Sequence, residues 1–168
     1  MIDKYLKRLF VPSKKVAYLV YKISKIDYTK SITKIIKIIK LNRLQYKYNI
    51  ILGTNAYIGK NVRFPHPQNI VIGDYVKIKD NCVIYQDVTI GLKNYDVIDK
   101  EEAYPVIEDD VIIYSGAKIL GAIKIGQGAI IAANSVVIND VEPNYIYGGI
   151  PAKKIKSLSE VKNKNEEL

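Results

Sequence analysis

Apolar residues recur every six positions over most of the chain from residue 52 onward. The leading positions fall into three runs, and ten of the thirteen are isoleucine: Leu52, Ile58, Phe64; Ile72, Ile78, Ile84, Ile90; and Ile107, Ile113, Ile119, Ile125, Ile131, Val137. A second series of mostly small or aliphatic residues follows the leading residues by four positions, from Ala56 to Val141. A period of six fits neither an amphipathic helix nor a hairpin meander of alternating strands.

This period is typical of a β-solenoid, in which short strands stack coil upon coil and aliphatic columns run along the interior. Cys82 falls in the second series between Val76 and Val88. We therefore expect it to be a small core residue and not a reactive thiol. Glycine follows the leading residue at positions 53, 59, 73, 91 and 126, where we expect turns.

The first 49 residues follow a helical pattern instead. Ile32, Ile35, Ile36 and Ile39 have the i, i+3, i+4, i+7 spacing of one helix face. We predict a helix over about 30–46 and one or two shorter helices before it, broken near Pro12. The chain then divides into a basic helical segment (1–49), a β-solenoid domain (50–156) with a polar loop (92–105), and a C-terminal tail (157–168).

The net charge of +9 is unevenly distributed, because residues 1–50 hold 13 Lys and Arg against 2 acids and residues 51–168 hold 13 against 15. The basic segment could dock on anionic lipid, attract an acidic polysaccharide, or cap the open N-terminal end of the solenoid. We favour the cap, with isoleucines on the coils and lysines facing water. No nucleic-acid partner is expected, because no recognised binding module accompanies the charge.

The sequence also bears on location. The longest early apolar stretch, VAYLVY, has six residues, which is too short for a signal peptide or a membrane span. One cysteine cannot form an intramolecular disulfide, which suits a reducing compartment. We expect a cytoplasmic protein, with the inner face of the membrane as its place if the basic segment binds lipid.

His66 is the only histidine, and it lies where the six-residue register slips. Phe64 and Ile72 are eight residues apart, so the extra residues must bulge outward. Pro65 and Pro67 stiffen this bulge. Because the unperturbed pKa of imidazole is close to neutral pH, a histidine here is a candidate general base.

Several segments resemble the hexapeptide-repeat acyltransferases, whose fold is a left-handed parallel β-helix. FPHPQNIVIG (64–73) is similar to the family's histidine segment, and CVIYQDVTIG (82–91) to its next coil. The stretch from YPVIEDDV to VVINDV (104–141) resembles the long C-terminal repeat, and YGGIPAKKI (147–155) the closing signature. The most similar subgroup holds the serine acetyltransferases and the shorter polysaccharide O-acetyltransferases.

The resemblance implies transfer of an acetyl group from acetyl-CoA to a hydroxyl, without a metal. It also implies a homotrimer whose active sites lie in clefts between neighbouring subunits. His66 matches the catalytic histidine, which would remove the proton of the attacking hydroxyl. CoA would lie along the C-terminal coils.

The same resemblance assigns residues to the donor and to the loop. Ser115 and Ala133 would lie against the pantetheine arm of CoA, and Gly91 at the mouth of the loop. Lys153 and Lys154 would meet the phosphates of CoA. The polar loop 92–105 would fold over the cleft, where its tyrosines are candidates to stack on a sugar ring: Tyr95 and Tyr104.

Four positions depart from the serine acetyltransferase pattern. Ile51 replaces the carboxylate that orients the histidine, and Tyr104 replaces a second active-site histidine. Pro65 and Ala103 replace an aspartate and an arginine. Because the lost groups suit a zwitterionic amino acid, we expect a sugar hydroxyl as acceptor, in a capsule, O-antigen or other surface polysaccharide.

Alternatives stay open. Serine O-acetylation, a step in cysteine biosynthesis, is the second enzymatic interpretation, and a non-catalytic β-helix scaffold is an interpretation of a different class. A metal-dependent hydratase on this fold needs several histidine ligands, which one histidine per chain cannot supply. The group that orients His66 is also open: a backbone carbonyl, Asp87 or a carboxylate of the loop.

Overall fold

The computed structural model describes residues 13–27, 29–94 and 101–160. Within the described residues two helices precede the strands, α1 (Ser13–Ser24) and α2 (Ser31–Tyr48), and α2 confirms the longer predicted helix. The strands of the described ranges follow: β1 (Ile50–Leu52), β2 (Tyr57–Ile58), β3 (Ile70–Ile72), β4 (Lys77–Ile78), β5 (Val83–Ile84), β6 (Thr89–Gly91), β7 (Val106–Ile107), β8 (Ile112–Ile113), β9 (Lys118–Leu120), β10 (Lys124–Ile125), β11 (Ile130–Ile131), β12 (Val136–Val137), β13 (Tyr145–Gly149) and β14 (Ala152–Ser157). The domain boundaries proposed from the sequence stay predictions.

The strands form three sheets, one on each face of a prism. Face A contains β1, β3, β6, β9 and β12, and face B contains β2, β4, β7 and β10. Face C contains β5, β8, β11 and β13, to which β14 adds as an antiparallel strand. The chain visits the faces in turn, and within each sheet the other strands pair in parallel with the coil above or below. The fold is a left-handed parallel β-helix, as predicted.

The strand register locates both interruptions of the repeat. A regular coil takes 18 residues, as from Val71 to its partner Thr89. The first coil takes 20, because Ile50 pairs with Ile70, and the two extra residues lie in the corner that holds His66. On face B, Lys77 pairs with Val106, which is 29 residues further on. The additional residues leave the prism as the loop between β6 and β7.

The predicted aliphatic columns form the core. All thirteen leading positions are buried, with exposures of 5% or less. In the second series, Ile123 is half-buried, Gln68 and Asn94 at the two interruptions are exposed, and the other members are buried. Burial of an isoleucine side chain contributes about 1.5–3 kcal/mol, so these columns are the main source of stability.

The glycines after the leading residues lie at turns, as predicted. The carbonyls of Gly53, Gly73 and Gly126 each accept a hydrogen bond from the backbone N–H three residues further on. A left-handed backbone is not the reason for glycine here. Gly59 and Gly126 do not have positive φ angles. A Cβ on Gly59 would lie 2.5 Å from the backbone of Lys79 in the next coil, so the close approach of two coils requires glycine there. Asparagine and aspartate occupy most left-handed corner positions instead, for example Asn81 (φ 61°) and Asp110 (φ 62°).

The two helices pack on the first coil, α1 against β2 and α2 against β1. The face that α1 buries consists of Val16, Val20 and Ile23. The predicted orientation of α2 is wrong, because its buried residues are Lys37 and Leu44. Its four patterned isoleucines point outward, with exposures of 75, 59, 42 and 60%: Ile32, Ile35, Ile36 and Ile39.

Lys37 lies on the inward face of α2 together with Leu41, Leu44 and Tyr48, which pack on the core. Its side chain is 3% exposed, and its Nζ donates a hydrogen bond to the carbonyl of Ile26 at 3.0 Å. This bond ties α2 to the connection that follows α1. Burial lowers the pKa of Lys37, and the nearby Asp27 carboxylate partly offsets this. With Lys37 and Leu44 inward, the isoleucines on the opposite side of the helix must face outward.

Candidate active site

His66 lies on an exposed corner of the prism, where the chain passes from face C to face A. The corner begins after Arg63, which forms a parallel bridge to Val83, and ends at β3. The His66 carbonyl accepts a hydrogen bond from the backbone N–H of Gln68 at 2.8 Å. The bulge predicted from the register slip therefore presents the histidine to solvent.

Two tyrosines continue the corner above His66. The rings of His66 and Tyr85 have centroids 6.2 Å apart, and Tyr85 stacks on Tyr114 at 5.1 Å. Sequence reasoning missed both tyrosines. Each directly follows a leading isoleucine of face C, Ile84 or Ile113, so a comparison of the positions beside the leading column would have found them.

Asp87 is already engaged in this corner. Its Oδ1 accepts a hydrogen bond from the side chain of Asn69 at 2.8 Å, and its backbone carbonyl accepts one from Lys118 Nζ at 2.6 Å. Within residues 13–27, 29–94 and 101–160, no hydrogen bond to the His66 imidazole is found. Asp87 as the group that orients His66 therefore stays a prediction.

Ser115 and Ala133 occupy the same corner in later coils. Backbone hydrogen bonds link the successive corners: Asp87 N–H to the Gln68 carbonyl at 3.2 Å, Gly116 N–H to Gln86 at 3.0 Å, and Asn134 N–H to Ser115 at 2.9 Å. Coils are spaced roughly 4.8 Å apart, so Ser115 lies roughly 10 Å and Ala133 roughly 14 Å along the axis from His66. The structure thus aligns both predicted CoA contacts with the histidine.

Gly91 ends β6 at the point where the loop leaves the prism. A Cβ placed there would meet no atom within 4 Å, so the position borders open space. Its carbonyl accepts a hydrogen bond from Gly121 at 2.9 Å. Tyr95, which was predicted to stack on a sugar ring, lies outside the described residues.

Tyr104 does not present its ring to solvent, which corrects the expectation that it stacks on a sugar. It is 5% exposed, and its ring contacts Tyr75 with centroids 5.5 Å apart. A Cβ on Gly73 would lie 2.9 Å from the Tyr104 ring. Tyr104 therefore anchors the returning end of the loop on the prism, and Lys77 adds an ion pair to Glu101 at 2.5 Å.

The two lysines of the closing segment differ. Lys154 Nζ pairs with Glu142 at 2.6 Å and lies 3.6 Å from the centroid of the Tyr145 ring. The hydrogen bond to Glu142 raises the pKa of Lys154. Lys153 is exposed, and no ion pair of its side chain occurs among the described residues. Of the two predicted phosphate ligands, Lys153 is the more available.

Cys82 is a core residue, as predicted. It is fully buried, and its Sγ donates a hydrogen bond to the Glu108 carbonyl at 3.0 Å. Burial raises the pKa of the Cys82 thiol to about 12. A thiol with so little thiolate near neutral pH is not a nucleophile.

Residues 13–27, 29–94 and 101–160 contain no cluster of three or more histidine, cysteine, aspartate or glutamate side chains that could hold a metal ion. None of the helices in these ranges is long and apolar enough to cross a bilayer.

Comparison with known proteins agrees with this architecture. The family model for "Bacterial transferase hexapeptide (six repeats)" matches residues 104–139. A serine acetyltransferase of Buchnera aphidicola subsp. Schizaphis graminum is 34% identical over 127 residues, which is 76% of this chain and 47% of that protein. A serine acetyltransferase of Escherichia coli (strain K12) is 35% identical over 112 residues, 67% of this chain and 40% of that protein. The chain thus spans half or less of the length of these curated relatives.

A solved structure of a serine acetyltransferase in complex with CoA is also similar. It superimposes with a TM-score of 0.75 at 29% identity and covers 88% of this chain and 59% of that chain. The likeness thus extends beyond the residues that the family model matches. The chain belongs to the hexapeptide-repeat acetyltransferase family and is serine acetyltransferase-like.

Proposed function

We propose that this protein is an acetyl-CoA-dependent O-acetyltransferase. The observation that carries the proposal is the corner on which His66 lies exposed in line with Ser115 and Ala133. One edge of the prism thus combines a candidate base with small residues that leave room for a pantetheine arm. The solved serine acetyltransferase in complex with CoA supports acetyl-CoA as the donor.

In the proposed reaction, the acceptor hydroxyl attacks the acetyl carbonyl of the thioester. His66 takes the hydroxyl proton as the new C–O bond forms, because an un-ionised hydroxyl is a poor nucleophile near neutral pH. The tetrahedral oxyanion collapses, the C–S bond breaks, and the proton on His66 goes to the departing CoA sulfur. No acyl-enzyme is needed, and Cys82 is buried away from solvent.

The acceptor that we propose is a sugar hydroxyl of a surface polysaccharide such as a capsule or O-antigen. The relatives named above favour the other candidate, serine. A zwitterionic amino acid requires a cation for its carboxylate and an anion for its ammonium group. The two positions that would supply such groups by resemblance hold uncharged residues, Pro65 in place of an aspartate and Ala103 in place of an arginine. This local chemistry supports the glycan.

We further propose that the active enzyme is a homotrimer with its active sites between subunits. The His66 corner of one chain is open to water, and acyl transfer to a sugar must compete with hydrolysis. A neighbouring prism against this corner would exclude water and form the second wall of the cleft. Sedimentation-velocity measurements test this, since a chain that is monomeric at working concentration would contradict it.

The proposed location is the cytoplasm, at the inner surface of the membrane. The free thiol of Cys82 is compatible with a reducing compartment. On α2, the outward isoleucines lie beside exposed cations, and no acidic residue occurs between Asp27 and Asp74. A second copy on this face would bring like charges together, whereas an anionic bilayer suits both the isoleucines and the cations.

Vesicle sedimentation tests the membrane contact. We expect binding to phosphatidylcholine vesicles that contain phosphatidylglycerol, and little binding to phosphatidylcholine alone. The double variant Ile35→Ser/Ile39→Ser should lose most of the binding. Ile155→Ser is the matched control, because Ile155 is 57% exposed but lies on β14. Equal losses in both variants would contradict a specific role for α2.

Release of CoA thiol tests the catalytic proposal. With acetyl-CoA and a working acceptor, His66→Ala should lower kcat by about 10²–10⁴-fold, the usual contribution of a general base. Gln68→Ala is the control, because Gln68 lies exposed on the same bulge. A near wild-type rate in His66→Ala would overturn the role of His66, and no stabilisation by CoA in a melting experiment would favour the scaffold.

A panel of acceptors tests the proposal that the acceptor is a sugar hydroxyl. It contains serine and glycans from the envelope of the host, each assayed at matched concentration with wild-type protein. The best glycan should exceed serine in kcat/KM. A kcat/KM for serine that equals or exceeds that of the best glycan would show that the acceptor is the amino acid.

A further inference from the structure

A groove lies between α1 and the first coil, and one end of it reaches Pro65, the residue before His66. Its volume is about 690 Å³, within the range of roughly 300–1,000 Å³ typical of ligand-binding clefts. One wall is a face of α1, which includes Ala17, Tyr18 and Tyr21. The other wall is the coil segment 60–65, which ends at Pro65, the residue before His66.

The groove is strongly basic. Lys14, Lys60 and Arg63 line it, and none of the lining residues in the described ranges is acidic. All three cations are exposed, and none of them takes part in an ion pair within residues 13–27, 29–94 and 101–160. Because unpaired cations converge on one concave surface, the groove attracts anionic ligands.

Two aromatic rings add a second kind of contact. Tyr18 lines the groove and is 59% exposed, with Lys22 Nζ 4.7 Å from the centroid of its ring. Tyr21 lies one helical turn further along α1. An aromatic ring offers an apolar face and a polar hydroxyl. The apolar C–H face of a pyranose ring can pack on such a surface while its hydroxyls bond to nearby polar groups.

We propose that this groove is the acceptor site and that the acceptor is an anionic glycan, bearing carboxylate or phosphate groups. Lys14, Lys60 and Arg63 would bind the anionic groups, the tyrosines would pack on a ring, and the reacting hydroxyl would lie at the Pro65 end, next to His66. This inference rests on the proposed function. It also bears on serine, since the groove is much larger than one amino acid and its described lining has no carboxylate for an ammonium group.

Equilibrium binding tests the proposal without requiring turnover. Three fluorescent probes are compared by anisotropy: a hyaluronan tetrasaccharide for carboxylates, a UDP-linked N-acetylglucosamine for phosphates, and chitotetraose as the neutral glycan. We expect at least one anionic probe to bind about tenfold more tightly than chitotetraose, as for charge-assisted contacts. The tighter anionic probe identifies the source of the charge.

Substitutions separate the groove from general attraction to a basic protein. Lys60→Gln and Arg63→Gln should each weaken binding of the anionic probe by about tenfold. Tyr18→Ser, as a separate variant, should also weaken its binding. The matched control is Lys40→Gln, an exposed lysine on α2 away from the groove. Equal losses in the control, binding of chitotetraose as tight as that of the anions, or no binding of any probe would each overturn the proposal.

The catalytic and acceptor proposals can fail separately. If CoA release depends on His66 with a neutral glycan, and the groove variants behave as wild type, the anionic acceptor is wrong while acetyl transfer stands. If anionic probes bind in the groove but His66→Ala keeps its rate, the role of His66 is wrong while the anionic ligand of the groove stands. The two assays therefore distinguish a wrong substrate class from a wrong reaction.

Discussion

Isoleucine is buried in the prism of this molecule and exposed on helix α2. In the prism, Ile58, Ile78 and Ile107 form one column of face B and are fully buried. In α2, Ile32 and Ile39 are 75% and 60% exposed. Both segments alternate isoleucine with lysine, as in VKIKD (76–80) and TKIIKIIK (33–40). Composition therefore does not decide burial here. A strand in the prism has neighbours above, below and across, whereas α2 contacts the body with one face.

The largest contrast should appear in thiol labelling. Ile35→Cys places a thiol on the exposed face of α2, while Cys82 has a pKa of about 12. An exposed thiol has a pKa near 8.5, so at pH 7.5 the thiolate fraction differs by roughly 10³-fold. Mass spectrometry after a maleimide pulse should find the new thiol labelled long before Cys82. Because burial raises the pKa of Cys82, its labelling should rise with pH or on unfolding. Equal rates at pH 7.5 would break the contrast.

Removal of side-chain volume from the prism should have the next largest effect. Ile78 is fully buried between Ile58 and Ile107. Ile78→Ala should lower the free energy of unfolding by about 2–5 kcal/mol, because a cavity adds to the lost transfer free energy. Urea unfolding at one fixed protein concentration measures this. A loss below about 1 kcal/mol would mean that the column is not tightly packed.

The difference between the two regions explains why the fold was predictable and the orientation of α2 was not. Thirteen apolar side chains spaced six residues apart are all buried when the coils that carry them share one interior. The columns therefore specify the β-helix. In α2, Ile38 and Leu41 blur the apolar face. The inward face of α2 carries Leu41, Leu44 and Tyr48, and with them Lys37, which bonds the carbonyl of Ile26. A lysine that bonds a backbone carbonyl leaves no signal in a hydrophobicity pattern.

The candidate site divides in the same way. The exposed position of His66 was predictable because it lies at a break in the repeat, and a break has a position in the sequence. Ser115 and Ala133 are 18 residues apart, one regular coil, so their alignment followed from the period. The groove along α1 was not predictable, because it depends on how a helix packs on the first coil. The loop position of Tyr104 also carried no sign that its ring packs on Tyr75.

A substitution at Lys37 tests the inward side of α2. Its Nζ bonds the Ile26 carbonyl at 3.0 Å, and its stem is buried. Lys37→Ala should destabilise the protein by about 1–3 kcal/mol, since a hydrogen bond and packing are both lost. Lys40→Ala, three residues on and exposed, should change stability by less than about 0.5 kcal/mol. Thermal melting of both variants gives the comparison. Equal effects would show that the inward position of Lys37 contributes nothing.

The pKa of Lys37 supplies a second readout for the same pair. Burial lowers this pKa in the folded state, so the unfolded chain holds the proton more tightly. Between the lowered pKa and the ordinary value of 10.5, the folded protein should gain stability from this group as pH rises. Lys37→Ala should lose that contribution, and Lys40→Ala should keep it. The measurement is the difference in unfolding free energy between each variant and wild type across alkaline pH.

The smallest effect should come from Ile39→Ala on the outer face of α2. Its side chain is 60% exposed, so truncation removes little buried area, and alanine has a higher helix propensity than isoleucine. The two effects oppose each other, and the free energy of unfolding should change by less than about 0.5 kcal/mol. The same measurement that finds a large loss in Ile78→Ala should therefore find almost none here. A loss above about 1 kcal/mol would mean that the isoleucine face is covered in the folded protein, as by a neighbouring subunit. In that case the outward face would be an interface that maintains the fold, and its proposed contact with lipid would have to be abandoned.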